Sequence, residues 1–340
     1  MHAALKSSQT VAVEIAGTSA IAPGRKVTTE AVVAAAHGFA DKEKFELRVR
    51  SVKRKTGIET RYFAGPDDLC ENLGTEALRI ALSEAGIEPQ ALERIIFVSS
   101  GLGDLVFPAT ANLICRGLEI RDTCDCFDLN NACMGFLTAL DIAACGIAAG
   151  SGPVGIVVAD FPTRATTPTD IRPYLVFGDA LAAVVVKKAA SGGILASFLR
   201  NDGITFGNVL LRNSAITGVR ETIQFTDYNE VIEDQAIEAL KKCISVVLER
   251  TNLSMADMDW ILPHQPNGEI FNNIVSEFQL PAEKIVPVAI EIGSTGAAAI
   301  PYSLDRLIRT RNVVPGDRIL FAGVGGGIAY GAMIYEVPRS

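Results

Sequence analysis

The hydrophobic pattern changes period many times along the chain. Short β-type runs at residues 11–15, 94–99, 126–129, 155–159, 182–187 and 193–199 alternate with longer stretches of helical period, such as 67–85. A second series follows, with a helix over 228–250, a strand over 260–263, a helix over 268–278, a strand over 285–290, a helix over 295–311, and closing strands over 318–322 and 328–336. Alternation of this kind predicts an α/β architecture with two comparable halves. Two stretches, 134–149 and the one opening with Ala297-Ala298-Ala299-Ile300, are apolar nearly all round, which marks them as central helices. Each is entered in the same way. Phe127-Asp128-Leu129 leads through a polar loop to a helix beginning at Cys133, and residues 286–290 lead through Gly293-Ser294-Thr295 to the second helix. The echo predicts a duplicated unit, residues 1–190 and 191–340, with two buried helices packed back to back and their N-termini together. The boundary falls near Lys188–Gly192, where a strand ends in the turn-type sequence KKAASGG.

Composition narrows the class. A chain of 340 residues, 49% hydrophobic and 21% charged, buries a sizeable core. No uncharged run reaches the ~20 residues that span a bilayer, so no membrane segment is expected. Residues 1–23 carry one Lys and a β-like run in place of a continuous apolar segment, so no signal peptide is read there, and a cytoplasmic location is expected. Seven cysteines, an odd number without disulfide-scaffold composition, fit a reducing compartment. Cys124 and Cys126 lack the further paired ligands that zinc requires, since the only histidines are His2, His37 and His264; no metal is expected. A net charge of −8 argues against nucleic acid as a partner. Against that background Lys42, Lys44, Arg48, Arg50, Lys53, Arg54, Lys55 and Arg61 form a basic run, either a solvated face or a docking surface for an acidic partner or a phosphate.

Cys133, in Asn131-Ala132-Cys133-Met134-Gly135, carries the most chemistry. A thiol in the first turn of a buried helix faces unpaired N–H groups and the positive end of the macrodipole. That environment is expected to lower its pKa from about 8.5 to roughly 3.5–7.5. The alternative is an inert buried cysteine. His264 ends an apolar strand in Pro263-His264-Gln265-Pro266-Asn267 and is placed to point into a cleft; a hydrogen-bonded structural histidine is the alternative. Gly323-Val324-Gly325-Gly326-Gly327 joins two β runs with no helix after it, so it is not a dinucleotide fingerprint. It is either a hairpin turn or a close backbone approach whose N–H groups supply half of an oxyanion hole.

Taken together, Asp128–Leu140, Phe177-Gly178-Asp179-Ala180, Pro263–Asn267, Gly293–Pro301 and Gly325–Gly327 resemble β-ketoacyl-acyl carrier protein synthase III of the thiolase superfamily. Further matches at Lys55-Thr56-Gly57-Ile58, Phe107-Pro108-Ala109-Thr110, Asn229-Glu230-Val231 and the Asp160–Arg164 spacing extend the likeness nearly end to end. The resemblance implies a duplicated five-layered αβαβα fold, a homodimer, no bound cofactor, and substrates carried on phosphopantetheine, from acyl carrier protein or coenzyme A. It implies that Cys133 takes the acyl group, that the N–H groups of Cys133 and Gly326 form the oxyanion hole, and that His264 polarises the second thioester. It also implies that Phe107 crosses the dimer interface to wall the partner's acyl pocket. Phe177 and Asp179 belong to a motif read as structural, and Phe177, Arg164 and Asn267 are counted with Phe107 as substrate-binding candidates. Arg54, Lys55 and Arg164 are the candidates for carrier or phosphopantetheine docking.

Three positions depart from that family's pattern. Its enolate-holding Asn falls on Ser294, its adenine-stacking Trp near Ser51, and its carrier-docking Arg on Glu269. The expected reaction is acylation of Cys133 followed by decarboxylative condensation with a malonyl- or β-ketoacyl-type thioester, in fatty acid, polyketide or secondary-metabolite biosynthesis. Serine at 294 leaves open a non-condensing acyl transfer to an oxygen, nitrogen or sulfur acceptor. A true thiolase needs a second cysteine within residues 324–328, which hold none, and an α/β-hydrolase would not carry a whole strand and helix set after His264. A non-catalytic partner subunit is the remaining alternative.

Overall fold

The computed structural model describes residues 10–37, 41–101, 103–204, 209–226, 229–266 and 268–339. Nine strands form the two main sheets. The first contains β1 (Val13–Ile21), β2 (Arg94–Val98), β3 (Asp125–Leu129), β4 (Val154–Asp160) and β5 (Ala180–Lys188), in the order β1-β5-β4-β2-β3. The second contains β6 (Gly193–Asn201), β7 (Trp260–Pro263), β8 (Arg318–Gly325) and β9 (Ala329–Glu336), in the order β6-β9-β8-β7. Their pairings correspond step for step. In each sheet two antiparallel ladders are followed by a parallel one, and the parallel β2–β3 ladder has its counterpart in the single parallel bridge Ile261–Ile285. Residues 189–192 carry the chain from one sheet to the other.

The helices that frame the sheets are α1 (Lys42–Thr56), α2 (Cys70–Ala85), α3 (Thr110–Gly117), α4 (Gly135–Ala148), α5 (Ile171–Val176), α6 (Asn229–Thr251), α7 (Gly268–Glu277) and α8 (Ala299–Thr310). α4 and α8 lie between the sheets. Their residues Phe136, Leu137, Leu140, Ala143, Ile300, Leu304 and Leu307 join the sheet residues Ile156, Val184, Phe321 and Met333 in one central core. A second core packs α2 and α3 on the outside of the first sheet, and a third packs α6 and α7 on the outside of the second. The result is five layers, αβαβα. β4 and most of β5 are covered on both faces, which is why their sequences read as continuous apolar runs without alternation. Among the described residues no helix is long and apolar enough to cross a membrane.

The expected strand at 285–290 is not formed. Only Ile285 bridges to β7, and Ala289–Ile292 turn into a short helix. Pro287 cannot donate to a ladder. The Gln265 side chain takes the place of a neighbouring strand, its Oε1 accepting from the N–H of Val288 (2.9 Å) and Ala289 (3.0 Å) and its Nε2 donating to the Val286 carbonyl (2.9 Å). The basic run at 42–56 is a helix. Asp41 caps it by accepting from the N–H of Glu43 and Lys44, and Gly57 ends it in the left-handed conformation at φ 66°.

Candidate active site

The turn that carries Cys133 is built by backbone geometry that its sequence does not favour. After β3, the Asn130 Oδ1 accepts from the Ala132 N–H (3.1 Å), and Ala132 adopts φ 44°, a left-handed conformation uncommon for a residue with a side chain. A 3₁₀ turn over Ala132–Met134 then runs directly into α4. The other half repeats this entry: Gly296 takes φ 54° at the start of a 3₁₀ turn over Gly296–Ala298, which leads into α8. Cys133 and Ala297 therefore occupy matching positions at the heads of the two central helices. The β8–β9 hairpin reaches Cys133 from above. A Cβ on Gly325 would stand 3.0 Å from both Cβ and N of Cys133, so only glycine permits the approach.

His264 follows β7, where its N–H donates to the Ala322 carbonyl (2.8 Å). It is buried, and among the described residues no side chain hydrogen-bonds its ring nitrogens, which have the Val324 backbone beside them. Ser294 is buried as well, and its backbone is fixed on both sides: its N–H donates to Val176 O and its carbonyl accepts from the Gly178 N–H, both at 2.9 Å. Cys133, His264, Ser294 and Gly325–Gly327 line one cavity of about 360 Å³. Its outer wall is supplied by Arg48, Ser51, Val52, Lys55 and Thr56 of α1, by Arg172 and Leu175 of α5, and by Phe177 and Phe225, whose rings stack at 6.1 Å. The wall is largely apolar, its charged members are cations, and among the described residues no Asp or Glu contributes to it.

Burial decides the electrostatics. Cys133 meets the cavity on one side and protein on the others; that burial, with the nearby Asp160 carboxylate, pushes its thiol up to about 12, against the opposing pull of the backbone N–H groups of Cys133 and Gly326. The lowered thiol pKa expected from the helix start is thus corrected. Burial also holds the His264 imidazole down at about 4, opposed by the backbone of Val324. At neutral pH the cavity therefore holds a neutral thiol and a neutral imidazole. They form no hydrogen bond with each other.

The remaining candidates are distributed as follows. Lys55 and Phe177 line the cavity, while Arg54 lies exposed on α1. Phe107 stands 85% exposed beside Val106 and Leu105, away from the cavity. Arg164 does not line the cavity either. Its guanidinium donates to the Asp68 carbonyl (2.6 Å), pairs with Asp104 (3.5 Å) and lies over the Phe161 ring (4.9 Å). Asn267 falls outside the described residues, and nothing is described of the Glu269 side chain. Lys53, in the middle of the basic run, is paired with Glu30 and Glu59. Sequence reasoning missed Arg48 and Arg172 as cavity residues, and Asp160 as a charge beside the thiol. For Arg48 the signal was present: residues 48, 51, 52 and 55 share one face of a helix whose Asp and Gly caps are both legible.

Two family models match, 3-oxoacyl-[acyl-carrier-protein] synthase III over residues 127–203 and the C-terminal region of the same synthase over 248–337. The fold superposes on 3-oxoacyl-[acyl-carrier-protein] synthase III from Aquifex aeolicus with a TM-score of 0.85 and 27% identity, covering 95% of this chain and 99% of that one. The corresponding enzyme from Pseudomonas aeruginosa gives 0.85 and 25%, over 96% and 99%. A priming β-ketosynthase of a polyketide biosynthetic pathway gives 0.86 and 25%, over 99% of both chains. The chain is a β-ketoacyl-acyl carrier protein synthase III-like member of the thiolase superfamily, and by class an acyltransferase.

Proposed function

We propose that this protein takes an acyl group from a phosphopantetheine thioester onto Cys133 and joins it, by decarboxylative condensation, to a malonyl-type thioester, whose free carboxylate leaves as carbon dioxide. The observation that carries this reading is the convergence of Cys133, His264, Ser294 and the Gly325–Gly327 loop on one cavity. Moving the thiol proton to His264 in the empty cavity is disfavoured, because the two groups titrate near 12 and 4. Acylation therefore waits for substrate. The thioester carbonyl settles against the N–H groups of Cys133 and Gly326, sulfur attacks its carbon, the carrier's C–S bond breaks, and the proton leaves with the departing thiol. The second thioester then loses carbon dioxide, its enolate oxygen is held by His264, and the enolate carbon attacks acyl-Cys133, releasing the cysteine sulfur.

Ser294 favours keeping a second reading. Its backbone is pinned to the 176–178 segment, so its short hydroxyl cannot advance to where a longer amide would reach. A displacement of about 1 Å costs ~10²-fold in rate. Non-condensing transfer needs no enolate and tolerates this serine. Incubation with an acyl thioester and a malonyl thioester tests the choice: carbon dioxide release with a β-keto product supports condensation, and turnover to an acylated acceptor without carbon dioxide supports transfer.

The cationic mouth formed by Arg48, Lys55 and Arg172 suits the phosphate of a phosphopantetheine arm, and Arg54 and Lys55 suit an acidic carrier helix. Ser51 provides no stacking surface for adenine, which favours carrier protein over free coenzyme A. A homodimer is supported by the edge strand β3 and the protruding Leu105-Val106-Phe107, and a cytoplasmic location by seven unpaired cysteines. We read residues 1–190 and 191–340 as the two halves, each contributing one helix start to the site.

A further inference from the structure

Asp160 ends β4 with its carboxylate buried between the two helix starts, only 2% exposed. Oδ1 accepts from the Ser100 N–H (2.7 Å) and lies 3.5 Å from the Ser99 hydroxyl; Oδ2 accepts from the Ser100 hydroxyl (2.8 Å) and from the Ala297 N–H (2.7 Å). Among the described residues none of the ion pairs includes it. An unpaired buried anion is costly, and here it is met by donors alone, one of them at the head of a central helix.

Those donors lead to both sides of the cavity. Ser100 is followed by Gly101, whose Cβ position lies 3.4 Å from the Asn130 Nδ2, and Asn130 holds the Ala132 N–H at the entry to the nucleophile turn. On the other side Ala297 stands three residues past Ser294. Between them Gly296, at φ 54°, would put a Cβ 2.3 Å from Asp160 Oδ2, so the second turn closes on the carboxylate only because that residue is glycine.

We propose that Asp160 is a positioning residue for the acylation of Cys133: one carboxylate holds the Ser99–Ser100 turn and the Ala297 helix start together and, once ionised, keeps a negative charge beside the thiol. This rests on the reading of Cys133 as nucleophile. The charge opposes thiolate formation in the empty cavity, so the sulfur stays unreactive until a thioester occupies the oxyanion site. The groups that titrate around it are Cys133 from the nucleophile turn, Cys70 from α2, which feels Asp160 together with Asp104 and Arg164, and His264 across the cavity from the end of β7. Burial raises Asp160 itself to about 6.

The test is the rate of alkylation at Cys133 by iodoacetamide, followed by peptide mass between pH 5 and 9 on the full chain. In the wild type the logarithm of the rate should rise with pH, flatten near pH 6 as the carboxyl ionises, and then rise again. Asp160→Asn should rise without the flattening, and react about three- to tenfold faster at pH 8, the gain in thiolate being partly offset by lower nucleophilicity. A folded Asp160→Asn protein with the wild-type profile overturns the proposal, because a merely structural carboxylate would leave that profile in place. Should that variant not fold, Ser100→Ala keeps the charge and removes one donor to it; the flattening should move to higher pH, and an unmoved profile overturns the proposal equally. Alkylation requires no acyl substrate. Failure of the wild type to acquire an acyl adduct from a thioester would therefore count against the proposed function, and the pH profile against the role of Asp160.

Discussion

Cys133 has two backbone N–H groups in reach and stands at the head of a helical run, yet its thiol is weakly acidic. The magnitudes explain why. A macrodipole contributes at most about 2 kcal/mol, roughly a thirtyfold gain in acidity. Burial beside Asp160 moves the thiol from 9.0 to about 12, a thousandfold loss. We therefore expect alkylation of Cys133 to keep rising between pH 7 and 9; a plateau by pH 8 would show a thiolate already formed. Cys133→Ala should carry no acyl adduct by intact mass, whereas His264→Ala should acylate and then stall, with condensation down ~10²–10³-fold. Ser294→Asn is expected to raise carbon dioxide release from malonyl thioester by about tenfold or more, and an unchanged rate would remove the missing amide from the argument.

Elements act here by how closely their backbones approach. The hairpin after β8 meets the Cys133 turn because Gly325 has no side chain. Gly325→Ala is expected to push the hairpin off Cys133, slowing single-turnover acylation by ~10²-fold as the Gly326 N–H moves out of line, and to lower urea stability by about 1–3 kcal/mol. α1 shows the same dependence on local detail. Its residues Val49, Val52 and Thr56 face inward, and the next positions round the helix, Arg48, Ser51 and Lys55, face the cavity mouth. A run that reads as a solvated charge cluster thereby becomes a wall of the site, while Lys53 is removed from docking by its two glutamates.

For the molecule as a whole, three of the buried groups push the pH dependence of stability in opposing directions. Asp160 and Asp179 titrate near 6 when folded and near 3.8 when exposed, so between those values the unfolded chain has lost protons that the folded chain keeps, and stability falls as pH rises. His264 does the reverse. Folded near 4 against 6.5 exposed, it takes a proton first in the unfolded chain, so its contribution to stability is lost as pH falls through that range. Removing it, as in His264→Gln, should make the decline in urea unfolding free energy from pH 4 to 6.5 steeper, by on the order of 3 kcal/mol. At the same scale, the proposed homodimer predicts that Val106→Asp is monomeric in sedimentation, since a charge would be buried on the protruding apolar segment; a variant that sediments like the wild type counts against an interface there.

The sequence by itself determined the strand and helix alternation and the candidate groups of the site. Period-2 and fully apolar runs located the strands, two all-apolar helices with matching entries disclosed the duplication, and Cys133, His264 and the glycine loop stood at element ends where side chains and N–H groups face a cleft. These features depend on local pattern, which a sequence displays directly. Tertiary structure decided what that pattern cannot hold: that Gln265 and Pro287 would replace a strand, that Arg164 would be spent on Asp104 and Asp68, and that α1 would turn one face to the cavity. It also decided the protonation of Cys133, because burial and the charge of a carboxylate 27 positions along the chain outweigh the helix on which the thiol sits.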